Sequence, residues 1–166
     1  FLRSVFLSFE SAKAQLARHN LSDKIRICDE PTPTVETAAH ALGCAPGNIA
    51  KTLAFLVEGR PILIVAAGDA RIDNKKFKSV FHVKASMIAH DSIEDYTGHP
   101  MGGVCPFGVK EGCRVYLDVS LKRYEKIFPA CGTRHSAVEL TLDELTESAE
   151  AVGWVDVSKD PAPVAD

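Results

Sequence analysis

The chain reads as an α+β protein with a mixed sheet, and three observations carry that reading. Two apolar runs, Thr52 to Val57 and Ile62 to Ala67, are joined by Glu58-Gly59-Arg60-Pro61. Val-, Ile- and Leu-rich runs of this length around a Gly/Pro break predict a β-hairpin buried on both faces. Helical and strand patterns follow each other irregularly rather than alternating, which argues against a doubly wound parallel sheet. Over 166 residues there is no repeat, low-complexity tract or linker, so residues 1–166 are expected to form a single compact domain.

Each element follows from its local pattern. Val5, Phe9, Ala12 and Leu16 recur at helical spacing, with Arg3, Lys13 and Arg18 off that face, so a helix is expected from Ser4 to Asn20. Lys24 to Cys28 alternates polar and apolar as a short strand. After the Pro31-Thr32-Pro33 break, Thr34 is an N-cap candidate for a short helix carrying Val35, Ala38, Ala39 and Leu42 and ending at Gly43. A turn opening at Pro46 delivers the chain to the hairpin. Asp73 then caps a short helix to Val80. Ser86 to Tyr96 reads as a further helix with Ile88 and Ile93 inward, Arg114 to Val119 as a strand, and Ser120 to Phe128 as a helix capped by Ser120. Ala137 to Leu142 is expected to be a strand. The last helix runs from Asp143 to Ala151, opened by Thr141 or Asp143, and the tail from Val157 is expected to fray.

Composition narrows the function classes. The net charge of −3 excludes a globally basic nucleic-acid binder, so nucleic-acid contact needs a local patch. No apolar stretch reaches the length of a membrane span. Phe1 to Phe9 is too short and interrupted for a secretory core, and the chain does not begin with Met. The five cysteines, Cys28, Cys44, Cys105, Cys113 and Cys131, include no CxxC pair and no zinc spacing. They read as reduced thiols acting as small core hydrophobes in a cytoplasmic protein, with a reactive role the alternative for Cys105 and Cys131 in their loops.

The familiar catalytic constellations are missing. There is no GxSxG, HExxH, Walker A or dinucleotide GxGxxG motif, and the six histidines are scattered. Activity is therefore expected to use no metal, no cofactor and no evident protein nucleophile. What remains is a lysine and a glycine-rich loop. Lys51, at the mouth of the first hairpin strand, either snorkels to solvent or turns its ammonium into a pocket. The loop from Thr97 to Gly108 contains four glycines and two prolines. Gly102-Gly103 either serves turns around Pro100 and Pro106, or lets a ligand approach free N–H groups that polarise a carbonyl. Lys75, Lys76, Lys78 and Lys84, with Arg71, form either a solvated face or a phosphate-binding one.

Several segments then occur in a fixed order: Ala38-Ala39, Leu42-Gly43, Ile49-Ala50-Lys51-Thr52-Leu53, Gly68-Asp69, Asp73 with Lys75-Lys76, Thr97-Gly98, Gly102-Gly103-Val104-Cys105-Pro106-Phe107-Gly108, Asp118 with Ser120-Leu121, and Gly132 before Val138-Glu139-Leu140. This set resembles the YbaK/EbsC family, the editing domains related to the inserted domain of bacterial prolyl-tRNA synthetases, over about residues 34–154. The IAKTL and GGVxPFG segments carry most of the likeness. The resemblance implies a compact domain around a mixed, mostly antiparallel sheet or partial barrel flanked by helices. It also implies a trans-editing deacylase that hydrolyses the ester of a mischarged amino acid on tRNA.

On this resemblance the family lysine falls on Lys51, the paired glycines on Gly102 and Gly103, and the later glycine loop on Gly132 with Thr133, Arg134 and His135. Thr52, Val104 and Pro106 join them as candidate substrate contacts. The implied partners are the 3′ CCA end of an aminoacyl-tRNA and an aminoacyl-tRNA synthetase, with no membrane. His135 is open between a base, a pocket wall and an exposed polar residue. This chain has Ala137 where the cysteine-editing type carries an Asp, which argues against cysteine specificity. The alternative function is a non-catalytic module that binds an aminoacyl-adenosine, tRNA or a synthetase; a third is a small hydrolase of simple esters or thioesters.

Overall fold

A computed structural model describes residues 2–161, and side chains from Phe6 onward. The expected inward Val5 and outward Arg3 thus lie outside the described side chains. The order of elements is α1 (Leu2–Arg18), β1 (Ile25–Ile27), α2 (Val35–Leu42), β2 (Ile49–Val57), β3 (Arg60–Ala67), α3 (Asn74–Phe81), α4 (Ile93–Thr97), β4 (Arg114–Asp118), β5 (Lys126–Pro129), β6 (Ser136–Val138), β7 (Leu140–Thr141), α5 (Leu142–Ser148) and β8 (Gly153–Val155).

The hairpin is the centre of the main sheet, whose strand order is β7-β5-β2-β3-β4-β8. Antiparallel pairing of β2 with β3 runs from Ala50↔Ala67 to Val57↔Arg60 and forms the longest ladder. Glu58 and Gly59 both have positive φ, 52° and 77°. A two-residue turn of this hand matches strand twist, so β3 starts at Arg60 rather than after Pro61. β5, β4 and β8 add parallel neighbours, and β7 an antiparallel one. A separate antiparallel pair joins β1 to β6, and a bridge from Ala130 to Ala137 ties it to the end of β5. The mixed sheet thereby curls over toward the side on which β1 lies.

Both faces of β3 are buried, as expected, whereas β2 is only half-buried from Lys51 to Leu53. One face holds Leu63 and Val65 against Ala12 and Leu16 of α1 and Leu145 of α5. The other stacks Phe55, Phe77, Phe81 and Tyr116 in sequence, with ring centroids 4.9, 4.8 and 5.2 Å apart. Such tilted and edge-on contacts suit the ring quadrupoles.

The local signals that were read correctly are mostly caps. Thr34 accepts from Thr37 N–H in a capping box, and Gly43 closes α2 in the left-handed region. Asp73 accepts from Lys75 and Lys76 N–H. Thr141, rather than Asp143, opens α5 in a capping box with Glu144.

Three expectations are corrected. Ser86 to Tyr96 is not one helix: Leu56 N–H donates to Ser86 O and Ile88 N–H to Ala54 O, so Met87 bridges Phe55 on the edge of β2, and only Ile93–Thr97 is α-helical. Ile88 and Ile93 are nonetheless buried. Ser120 to Phe128 is a short 3-10 turn capped by Asp118, followed by β5. The edge of β2 needs a partner at Ile49 and Ala50, and that pairing overrides helix propensity. The tail does not fray at Val157. That residue is fully buried, its N–H donates to Asp118 Oδ1, and Ser158 bridges Ile72.

Candidate functional site

A cavity opens on the edge of β2 that faces away from β3. Its floor is the strand segment from Ile49 to Ala54. One wall is α2 with its lead-in loop, through Thr34, Val35, Ala38 and Leu42. A second is the glycine-rich loop, through Met101, Gly102 and Val104. Phe128, Ala130, Ser136 and Ala137 supply the third, and Met87 and Ile93 close the far end. Among the described residues, the lining is apolar apart from four hydroxyl side chains and one charged residue, Lys51.

Lys51 neither snorkels away nor hangs free. Its Nζ donates to Gly68 O at 3.3 Å and to Ala70 O. Two of the three ammonium donors are thus held by the turn after β3. Burial pushes its pKa below the ordinary lysine value, Asp69 and Glu36 pull it back up, and Arg71 adds to the lowering. Asp69 is itself fixed, accepting from Tyr124 OH at 2.6 Å. Arg71 is exposed, so a second positive charge stands outside the cavity near the lysine.

The glycine-rich loop and the loop after β5 cross tightly. Gly103 N–H donates to Pro100 O at 2.9 Å, and a Cβ on Gly103 would lie 2.6 Å from the backbone of Gly132 and Thr133. Gly102, on the cavity wall, adopts φ +89° under the Arg134 side chain. Val104 shares that wall, while Pro106 and Gly132 are buried behind it. Thr133 Oγ1 bonds Ser136 Oγ at 2.7 Å and accepts from His135 N–H. The His135 and Arg134 side chains are exposed, and neither residue lines the cavity.

A polar stripe on the buried face of α1 locks this crossing, and the sequence reading, which sought only apolar spacing, passed over it. Ser8 Oγ lies 2.8 Å from Gly132 O and 2.5 Å from Nδ1 of His99. His99 Nε2 donates to Phe107 O at 2.6 Å. Ser11 Oγ donates to Gly108 O, and Gly108 N–H donates to Gln15 Oε1 at 2.7 Å. Polar residues at positions 8, 11 and 15 sit at helical spacing beside Ala12 and Leu16, which is the signal that could have revealed them.

His99 is fully buried, and desolvation holds its pKa below the ordinary value. When pH falls through about 6.5, unfolded chains take up this proton before folded ones do. The unfolded state then binds more protons, so stability rises with pH in that window and is lost on acidification. Urea midpoints are expected to fall between pH 7 and pH 5, and His99→Gln is expected to flatten that slope. An unchanged slope in the variant would assign the acid sensitivity elsewhere.

The buried thiols are chemically quiet. Burial pushes Cys131 up to about 12 and Cys105 higher still, so neither offers a thiolate nucleophile near neutrality. The exposed lysines divide. Lys75, Lys78 and Lys84 are open to solvent. Lys76 instead donates to Ser158 O at 2.8 Å and pairs with Asp156 and Asp160. No helix among the described residues is long and apolar enough to cross a membrane.

A family model described as "Aminoacyl-tRNA editing domain" matches residues 29–147. The uncharacterized protein YwhH of Bacillus subtilis (strain 168) is 46% identical over 93% of this chain and 99% of its own length. EbsC of Enterococcus faecalis, provisionally named a Cys-tRNA(Pro)/Cys-tRNA(Cys) deacylase, is 31% identical over 64% of this chain and 66% of its own. A crystal structure described provisionally as a trans-editing enzyme for prolyl tRNA synthetase superposes with a TM-score of 0.81 at 26% identity, covering 92% of this chain and 98% of that one.

Proposed function

Because the chain belongs to the aminoacyl-tRNA editing domain family, we propose that it is a trans-editing deacylase hydrolysing the ester between a mischarged amino acid and the terminal ribose of tRNA. The observation that carries this reading is that Lys51 and Gly102 line one cavity. That cavity combines a fixed positive charge with a wall of backbone atoms and an apolar interior.

An ester of a ribose hydroxyl is already activated, so positioning and carbonyl polarisation can supply much of the rate enhancement. Lys51 contributes its remaining ammonium donor to the phosphate or ribose of the 3′-terminal nucleotide, oriented by its two carbonyl contacts. Backbone N–H groups beside Gly102 and Val104 polarise the ester carbonyl. Gly103, whose N–H is already engaged by Pro100, holds the loop crossing. Water attacks the carbonyl directly, or a hydroxyl or thiol of the substrate side chain attacks first and the cyclic ester or thioester it forms is then opened by water. The C–O bond to ribose breaks, the ribose oxygen takes the proton, and the net reaction consumes one water.

The apolar lining, with Ala137 in the wall, favours an uncharged side chain. Arg71, Lys75, Lys78 and Lys84 contact tRNA phosphates, with Lys76 partly neutralised by its acidic partners. Reversing Lys75 and Lys78 together is expected to flatten the salt dependence of tRNA binding by roughly one to two log–log units; an unaltered slope would reduce them to a solvated face. The exposed Arg134 and His135 side chains are expected to contact the acceptor end rather than the amino acid.

The reaction is tested by offering the protein tRNA(Pro) carrying alanine or cysteine and tRNAs carrying serine or threonine. Hydrolysis of one member establishes the activity and names the substrate. Binding of tRNA without hydrolysis of any member would replace the deacylase with a binding module.

A further inference from the structure

The edge of β2 has a gap at Thr52. On one side of it β5 pairs with Ile49 and Ala50 and goes no further. Beyond it, Ile88 N–H donates to Ala54 O and Leu56 N–H donates to Ser86 O. Those two bonds show that the backbone groups of Ala54 and Leu56 point away from β3. Backbone direction alternates along a strand, so the N–H and C=O of Thr52 point the same way, into the gap. Ala130, the next residue along, would stand opposite Lys51 in this register and instead bridges Ala137, so the ladder stops before it reaches Thr52. The Thr52 side chain adds to this: its Oγ1 is buried without a hydrogen-bond partner among the described residues, an arrangement that folded chains usually avoid.

We propose that this gap is the subsite for the α-ammonium group of the aminoacyl ester, which the Thr52 carbonyl and hydroxyl oxygens receive; the proposal rests on the deacylase reading above. Three features point to such a guest. The gap is bounded at both ends by strand pairing, so it admits a small group and not an added peptide strand. Beside one donor, the Thr52 N–H, it offers two acceptors, the free side-chain oxygen and the carbonyl, and an ammonium carries three donors and no acceptor. Among the described residues the cavity lining holds no carboxylate, so oxygen dipoles are what it offers to a positive charge, while the one cation among them, Lys51, is turned onto Gly68 and Ala70. An ammonium docked at Thr52 would hold the ester carbon between the strand edge and the Gly102 wall. The cavity would then read two things separately: the α-amino group at the strand, and the side chain among Ile93, Val104 and Phe128.

The test compares tRNA carrying an amino acid with the same tRNA carrying the matching α-hydroxy acid, lactate for alanine and glycerate for serine. Each enzymatic rate is divided by the uncatalysed rate, because an α-ammonium group itself activates the ester. The aminoacyl ester is expected to show at least a tenfold larger enhancement than the α-hydroxyacyl ester. Thr52→Val, which keeps the β-branched shape, is expected to lower the aminoacyl enhancement several-fold and the α-hydroxyacyl one by less, so that the ratio between the two esters narrows, with an unaltered melting temperature. Equal enhancement of both esters by the unmodified protein overturns the subsite and leaves the deacylase reading standing. Failure to hydrolyse any charged tRNA would remove the deacylase reading itself.

Discussion

Lys51→Ala is expected to lower kcat/KM for deacylation by at least about 100-fold while the protein stays folded. The size follows from removing a fixed charged donor from a water-poor site, which typically costs about 100- to 1000-fold. The fold should survive because the lysine is only half-buried and what it gives up is its contact with two backbone carbonyls, those of Gly68 and Ala70. Losing such contacts costs about 1 kcal/mol, or roughly 2–4 °C in Tm for a chain of this size. Lys51→Arg is expected to fail as well. A planar guanidinium, bulkier than an ammonium and with its charge spread over three nitrogens, cannot place a compact charge between the same two carbonyls. Wild-type kcat/KM in Lys51→Ala would take the lysine out of the reaction.

Gly103→Ala is expected to impair both stability and activity. Its Cβ would lie 2.6 Å from the carbonyl carbon and oxygen of Gly132 and from the Thr133 nitrogen. These are backbone atoms in a buried crossing, so no flexible side chain can yield. Overpacking of this kind costs about 1–3 kcal/mol, and relief requires parting the two loops that hold the Gly102 wall. A Tm lower by roughly 2–12 °C together with a loss of kcat is the expected result. Gly112→Ala is the comparison. Gly112 has φ +91° with nothing within 4 Å of an added Cβ, so its substitution strains the backbone by about 1–3 kcal/mol without touching the cavity. Comparable destabilisation with full activity there would separate the loop crossing from general loss of stability. Full activity in Gly103→Ala would show that the crossing does not position the wall.

Much of the candidate site was legible because it depends on residue types that are unusual in their setting. A lysine beside an apolar strand and paired glycines in a proline-bounded loop stand out from a core pattern, and the structure brings Lys51 and Gly102 to one cavity. The α2 wall was hidden, because Val35, Ala38 and Leu42 read as ordinary helix-core residues. They do pack with the Ile49 and Phe128 cluster, yet they also line the cavity. Met87 was hidden for a different reason: its segment carries helical spacing, and only the unpaired edge of β2 makes it extended.

The sequence by itself determined what is local. Hydrophobic runs, the Gly59 turn and the side-chain caps at Thr34, Asp73 and Thr141 act over a few residues, so the hairpin and three helix starts could be read directly. Tertiary structure decided what depends on partners distant along the chain. The Ser8 hydroxyl against Gly132, 124 residues away, the turn of Lys126 to Pro129 into a strand against Ile49 and Ala50, and the burial of Val157 under Asp118 have no local signature. The open edge at Thr52 belongs with them. An unpaired strand edge exists only where two neighbours stop short of each other, and that is a property of the assembled sheet.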